Sequence, residues 1–318
     1  MPDRGPSNAI GRHQQYRGLR LCYTARMAMA RTTLTAGGLQ FSALTAGRGD
    51  DFVVCLHGFP DTLRSFRHQL PALAAAGYHA IAPSLRGYEA TSRPLDRDYH
   101  LYTLAEDVVG WLDSLGAPRA HLVGHDWGAV IAYATAARYP ERVRSLVALA
   151  VPPLQRLPEV LATRPAALFQ LRYMLGFQLP GATARVAKDD LAVIDALWRA
   201  WSPGWSLPEE EHDAVHRTLA RPGALDAALQ YYRAMFSLRT SKARRSVALL
   251  RREIRVPALV IYGERDGCLA PSLYPPAADR AAFPAGLELR KVARAGHFLH
   301  QERPELVNEA LVSWLAGR

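Results

Sequence analysis

The octapeptide VGHDWGAV at residues 123–130 sets an aspartate, Asp126, between Gly124 and Gly128, directly after an apolar run. Glycines at these positions allow a sharp strand-to-helix turn that lifts residue 126 above a sheet, where a substrate can reach it. A carboxylate there narrows the chemistry. Its attack on an acyl carbon would give a mixed anhydride, a high-energy species, whereas its attack on a saturated carbon gives an ordinary ester. Asp126 as nucleophile therefore implies an alkyl electrophile, and epoxides and alkyl halides are the two obvious classes. The bland alternative, an exposed aspartate capping a helix, fits the surrounding strand–turn–helix pattern less well.

An ester on Asp126 needs an activated water to release it. His297 follows Gly296 in a loop after LELRKVARAG, and Asp266 follows the apolar run ALVIYGER, so both fall at carboxyl ends of predicted strands. Ligands bind at that edge in open α/β sheets. His300 is the rival base, but it falls within the entry to the next helix. An acid directly after VRSLVAL is closed off because Ala150, Val151 and Pro152 follow, leaving Asp266 as the partner of His297. The turn LHGFP at 56–60 would put the Phe59 N–H beside that of Trp127, two donors for an oxyanion, with a cis bond before Pro60 as one way to aim them.

These residues require a particular scaffold. From residue 32, LQFSALTAG and FVVCLHGF read as strands, SFRHQLPALAAAG as a helix stopped by Gly77, YHAIAPSL as a buried strand and TLAEDVVGWLDSLG as an amphipathic helix ending at Gly116. AHLVGHD, WGAVIAYATAARYP and VRSLVALAVPP continue as strand, helix and strand. The run 52–151 is thus a βαβ series implying a parallel sheet. Between 152 and 250 only helical patterns occur, among them PAALFQLRYMLGF, DDLAVIDALWRAW and GALDAALQYYRAMF, which predicts an inserted helical cap. The alternation resumes in VPALVIYGERDG and LELRKVARAGHF and closes with the helix PELVNEALVSWLAG. The expected division is a basic tail at 1–31, an α/β core at 32–151 and 251–318, and the cap at 152–250.

HGFP at 57–60, GHDWG at 124–128, GERDG at 263–267 and AGHFLHQERPE at 295–305 together resemble the α/β-hydrolase superfamily and, within it, the epoxide hydrolase branch. The resemblance spans residues 33–316. It implies an α/β-hydrolase fold, a mostly parallel central sheet flanked by helices with a cap, and a triad in the order Asp126, Asp266, His297. YMLGFQLPG at 173–181 and LQYYRAM at 229–235 resemble that branch's cap segments. By this match Tyr173 and Tyr232 are the ring-opening tyrosines, with Tyr231 a competing choice beside Tyr232. The implied activity converts a hydrophobic epoxide and water to a vicinal diol, with no metal or organic cofactor.

Haloalkane dehalogenases share the Asp–His–Asp triad, but they resemble HGNP where this chain has Phe59, and a tyrosine pair is surplus to a halide site. Fluoroacetate dehalogenases share HGFP but would carry arginine near the nucleophile, where Trp127 and Ala129 stand. A non-catalytic relative that only binds a ligand would generally lack a triad member, and all three candidates are present. Phe169, Met174, Phe177, Trp198, Trp201, Trp205 and Phe236 make the cap rich in large apolar side chains, which favours a hydrophobic substrate and is compatible with a homodimer contact.

Composition excludes other classes. Hydrophobic residues form 49% of the 318 and charged residues 21%, the balance of a globular enzyme, and apolar runs such as SLVALAVPPL fall short of a membrane span. Of the 39 basic residues behind the net charge of +10, all but Lys188, Lys242 and Lys291 are arginine, a skew that reads as codon bias. Half the excess sits in the first 31 residues, and no nucleic-acid motif accompanies it. ARRSVALLRRE at 243–253 reads as a solvated helix face. The tail lacks the apolar core of a secretion signal; its acid-poor composition is weakly like a transit peptide, and Met27 and Met29 offer later starts. Cys22, Cys55 and Cys268 are odd in number and unpatterned, which points to a reducing cytoplasm, with Cys55 in the core and Cys268 near enough to Asp266 to line a site.

Overall fold

The computed structural model describes residues 28–318, so the expected tail lies outside the described residues except for its last four. Eight strands form one sheet: β1 (Ala30–Ala36), β2 (Leu39–Ala46), β3 (Phe52–Leu56), β4 (His79–Pro83), β5 (Ala120–His125), β6 (Val143–Leu149), β7 (Ala258–Gly263) and β8 (Leu287–Val292). Their order is β1-β2-β4-β3-β5-β6-β7-β8. The first two pairings, β1 with β2 and β2 with β4, are antiparallel, and every other pairing is parallel.

β1 starts at Ala30, before the expected boundary of the tail, and its pairing with β2 was not foreseen. ARTTLTA has no apolar run because it is an edge strand that buries only Leu34 and Ala36. The pair Ala36 with Leu39 leaves a two-residue turn, Gly37 and Gly38, both with positive φ (54° and 76°), which is the turn that matches strand twist in a hairpin.

The chain core carries α1 (Gln69–Ala75), α2 (Leu101–Ser114) and α3 (Trp127–Arg138). The helix expected over SFRHQLPALAAAG is split: Leu63–Phe66 forms one 3-10 turn capped by the Thr62 side chain, and α1 starts only at Gln69. Pro71 gives the reason, since a ring without an N–H is tolerated in a helix's first turn and breaks it further in.

Seven helices lie between β6 and β7: α4 (Leu157–Ala162), α5 (Pro165–Gln170), α6 (Arg172–Gln178), α7 (Ala182–Trp201), α8 (Glu209–Leu219), α9 (Ala224–Phe236) and α10 (Ser241–Leu249). α7 bends at Lys188–Leu191, where Asp189, Asp190 and Leu191 take positive φ. α10 lies against α2, where its Ser246 Oγ accepts from the Tyr102 N–H at 3.0 Å. After β7 come α11 (Tyr274–Ala277), α12 (Leu299–Glu302) and α13 (Pro304–Leu315). No helix among the described residues is long and apolar enough to cross a membrane.

From β3 the chain moves outward to β4, and from β5 it moves the opposite way through β6, β7 and β8. The direction reverses between adjacent β3 and β5, which opens a crevice beyond their carboxyl ends. β3 and β5 are buried at every residue, so this crevice has a rigid floor.

Candidate active site

Asp126 follows β5 directly and precedes the first residue of α3. Its backbone stands at φ 50°, ψ −121°, a strained turn for any residue with a side chain. Close packing explains the flanking glycines: a Cβ on Gly124 would lie 2.3 Å from the Gly128 carbonyl oxygen, and one on Gly128 would lie 1.9 Å from that of Leu56. Gly58 is a third requirement that sequence reasoning missed, since its Cβ would stand 2.4 Å from that of Asp126. The HG of HGFP was its only signal.

Around the buried Asp126 the predicted residues come together. The Phe59 N–H donates to Asp126 Oδ1 at 2.8 Å, from a turn whose Phe59–Pro60 bond is cis. His297 Nε2 stands 3.4 Å from Asp126 Oδ2, and its Nδ1 bonds Asp266 Oδ2 at 3.0 Å. The other oxygen of Asp266 accepts from the N–H groups of Cys268 and Leu269 at 2.8 and 2.9 Å, which fixes the carboxylate. Trp127 is the first residue of α3, so its N–H has no acceptor within the helix.

Electrostatics single out one histidine among four buried at this edge. Burial pulls His57 down to about 4 and His125 to about 3, and it takes His300 well below the ordinary range. His297 is opposed by the same burial, yet the carboxylates of Asp266 and Asp126 outweigh it and push it up to about 10. Burial would likewise raise Asp126, but His297, His125 and the Phe59 N–H hold it below its ordinary value. His300 Nε2 instead pairs with Ser65 Oγ at 2.6 Å.

A pH dependence follows from the raised His297. A group whose value rises on folding stabilises fully below its unfolded value, here 6.5, and loses that contribution as pH rises through about 10. The unfolding midpoint of the wild type relative to His297→Gln is expected to fall steadily across that window; a constant difference in thermal melts from pH 6.5 to 10 would contradict the charged pair. Depressed Asp126 behaves oppositely, contributing above 3.8 and losing its contribution on acidification below it.

The helices between β6 and β7 cover the carboxylate. Tyr232, on α9, is buried with a hydroxyl that has no hydrogen-bond partner among the described residues, and its ring packs edge-on against those of Phe59 and Trp127, at 5.5 and 5.0 Å between centroids. Tyr231 points elsewhere, and its hydroxyl donates to the Arg86 carbonyl at 2.8 Å. Tyr173, on α6, lies 5.9 Å from Tyr232 between ring centroids, and its hydroxyl is 3.5 Å from Cys268 Sγ. Burial, reinforced by nearby negative groups including Asp126, raises both Tyr173 and Tyr232 well above the ordinary phenol value. Cys268 does line the site: its sulfur, an Asp126 oxygen and a His297 ring nitrogen lie within 4.8 Å of one another.

Of the seven apolar side chains singled out in the cap, two stack their rings on the predicted site residues. Phe177 packs on Phe59, Tyr173 and Tyr232, and Trp201 on Tyr173 and His297. Trp198 stacks on Phe298 with Trp205 tilted beside it, Met174 packs on the core, and Phe169 and Phe236 face solvent. A contact with no sequence signal ties α7 to the loops that carry Asp266 and His297: the Trp201 carbonyl accepts from the N–H groups of both Gly267 and His297 at 3.0 Å. Glu302 supports the same loop, accepting from Gly296 N–H and Ser202 Oγ.

A family model described as alpha/beta hydrolase fold matches residues 51–304. Epoxide hydrolase A of Mycobacterium tuberculosis is 36% identical over 315 residues, covering 88% of this chain and 95% of that protein. Human epoxide hydrolase 4 is 31% identical over 286 residues, covering 87% and 76%. Among solved structures, epoxide hydrolase A from Mycobacterium thermoresistibile superposes with a TM-score of 0.73 at 32% identity, covering 91% of this chain and 99% of that one. An elbow aspartate with its histidine and second acid, on a sheet of this order and with relatives that match nearly end to end, leads to one conclusion: the chain belongs to the α/β-hydrolase fold family and, within it, to the epoxide hydrolases.

Proposed function

We propose that the protein hydrolyses a hydrophobic epoxide to a vicinal diol through an ester on Asp126. The observation that carries this reading is a carboxylate at the elbow close enough to two phenols to raise both: Tyr232, buried with a hydroxyl that has no partner among the described residues, and the partly buried Tyr173. Asp126 Oδ1 is held by Phe59, which leaves Oδ2 to attack a ring carbon from behind. The C–O bond breaks, and Tyr232 or Tyr173 gives its proton to the leaving alkoxide; their raised values keep both phenols protonated beforehand.

Alkylation removes the negative charge of Asp126 from beside His297. The imidazolium, left with Asp266 alone, passes its proton to the tyrosinate and becomes a base. It then takes a proton from water as the oxygen attacks Cγ of the ester. The developing oxyanion at Oδ1 rests on the N–H groups of Phe59 and Trp127. Collapse breaks the ester C–O bond, the departing alkoxide takes the proton of the added hydroxyl to leave as diol, and Asp126 returns as carboxylate beside the imidazolium. Asp266 orients His297, and residues 152–250 serve as a lid that supplies both tyrosines and the Phe177 and Trp201 walls. Both described thiols, Cys55 and Cys268, are buried and free, which suits a reducing compartment such as the cytoplasm.

Product analysis tests the reading. Aryl-substituted epoxides should give diols, and alkyl bromides should release no bromide; bromide release without any diol would make the protein a dehalogenase and overturn it. Tyr232→Phe should slow diol formation by roughly 10²-fold, the low end for loss of a general acid. Tyr173→Phe should cost less, because Cys268 already shares its hydroxyl.

A further inference from the structure

Away from the crevice, α8 carries His212 and His216 four residues apart, hence on one helix face, opposite Asp195 on α7. Both imidazoles aim Nε2 at the same oxygen, Asp195 Oδ1, at 3.1 and 2.9 Å, and their rings lie 4.0 Å apart between centroids. Two donors each about 2.1 Å from one ion lie about 3.0 Å apart at a right angle and about 3.4 Å apart at the tetrahedral angle. The observed separations are near the first of these. The outward nitrogens point to carboxylates as well: His216 Nδ1 is 3.8 Å from Asp190 and His212 Nδ1 is 3.6 Å from Asp213. Both lie beyond hydrogen-bond range and add negative charge around the cluster, which favours a cation there. All three side chains are half-buried or partly exposed, so an ion can reach them and water can complete its shell.

We propose that His212, His216 and Asp195 form a binding site for one divalent transition-metal ion of the zinc class, clamping α8 to α7. Imidazole and carboxylate donors in this number suit zinc, cobalt or nickel rather than magnesium or calcium, which prefer oxygen alone. The clamp falls just past the bend at Lys188–Leu191, on the part of α7 that runs to Trp201 and the catalytic loops. α8 is in turn fastened to the core through Glu211 and Arg64 at 2.7 Å. The ion would therefore join α8, held to the Leu63–Phe66 turn, to the helix that carries Trp201. It takes no part in the hydrolysis.

Cobalt(II) titration of the full chain, followed by visible absorption, tests this. One equivalent should produce d–d bands without thiolate-to-cobalt charge transfer, and zinc should abolish them and raise the unfolding midpoint. His212→Gln and His216→Gln should each weaken cobalt binding by at least about tenfold, while diol formation without metal stays at the wild-type rate. The proposal is overturned if no saturable bands arise or if both variants retain them. It is equally overturned if the spectrum shows thiolate charge transfer that Cys268→Ser removes, because the ion would then sit at Asp126, Cys268 and His297.

Discussion

His297→Gln is expected to lower steady-state diol formation by roughly 10³-fold or more while leaving the first chemical step intact. The ring-opening half of the reaction uses Asp126 Oδ2 and the phenols, none of which is supplied by His297. Hydrolysis needs a base 3.4 Å from Asp126, and glutamine offers a neutral amide instead. The ester should therefore accumulate. Intact-mass measurement after exposure to an aryl epoxide should show a gain equal to the whole epoxide, and peptide mapping should place it on Asp126. A gain from an alkyl bromide alone, equal to the bromide less hydrogen bromide, would sink epoxide hydrolysis. Unmodified protein with full turnover would remove His297 from the mechanism.

Asp126→Ala should lose roughly 10⁴-fold or more of the turnover, and it should differ from His297→Gln in forming no adduct at all. The two variants therefore separate nucleophile from base. Alanine accepts the same elbow backbone no better than aspartate does, since φ 50° with ψ −121° is unfavourable for any Cβ, so relief of strain does not confuse the comparison. His297 loses one of its two carboxylates and keeps Asp266 on Nδ1, which preserves the ring's orientation. An alanine variant that still makes diol at near the wild-type rate would show water attacking the epoxide directly, and would end the covalent reading.

Much of this site is legible in one dimension because the fold makes it so. A βαβ series sends every parallel strand's carboxyl end to one edge, so Asp126, Asp266 and His297 could be assembled from strand ends alone, and glycine spacing announced the elbow. The segment between β6 and β7 was legible as helices but not as a lining. Consecutive helical residues point about 100° apart, and the choice between Tyr231 and Tyr232 therefore depended on how α9 is rotated; Tyr231 spends its hydroxyl on Arg86, and the Tyr232 ring packs on Phe59 and Trp127. The same holds for Phe177 against Phe169, where one packs on the site and the other meets solvent.

By itself, then, the sequence determined the alternation of strands and helices and the edge where the strands' carboxyl ends gather, and it proposed the type of electrophile and the order Asp126, Asp266, His297 for the reacting groups, all of which follow from local residue types and strand–helix periodicity. Tertiary structure alone decided the rest. The edge strand β1 is held by its hairpin partner rather than by apolar content, the Trp201 carbonyl reaches His297 from a distant helix, and Cys268 meets Tyr173 across 95 positions of chain. The charge on His297, unlike that of its three buried neighbours, depends on two carboxylates brought to it from different strands. Such contacts arise from how elements pack against one another, and packing between distant segments leaves no periodic trace in the chain.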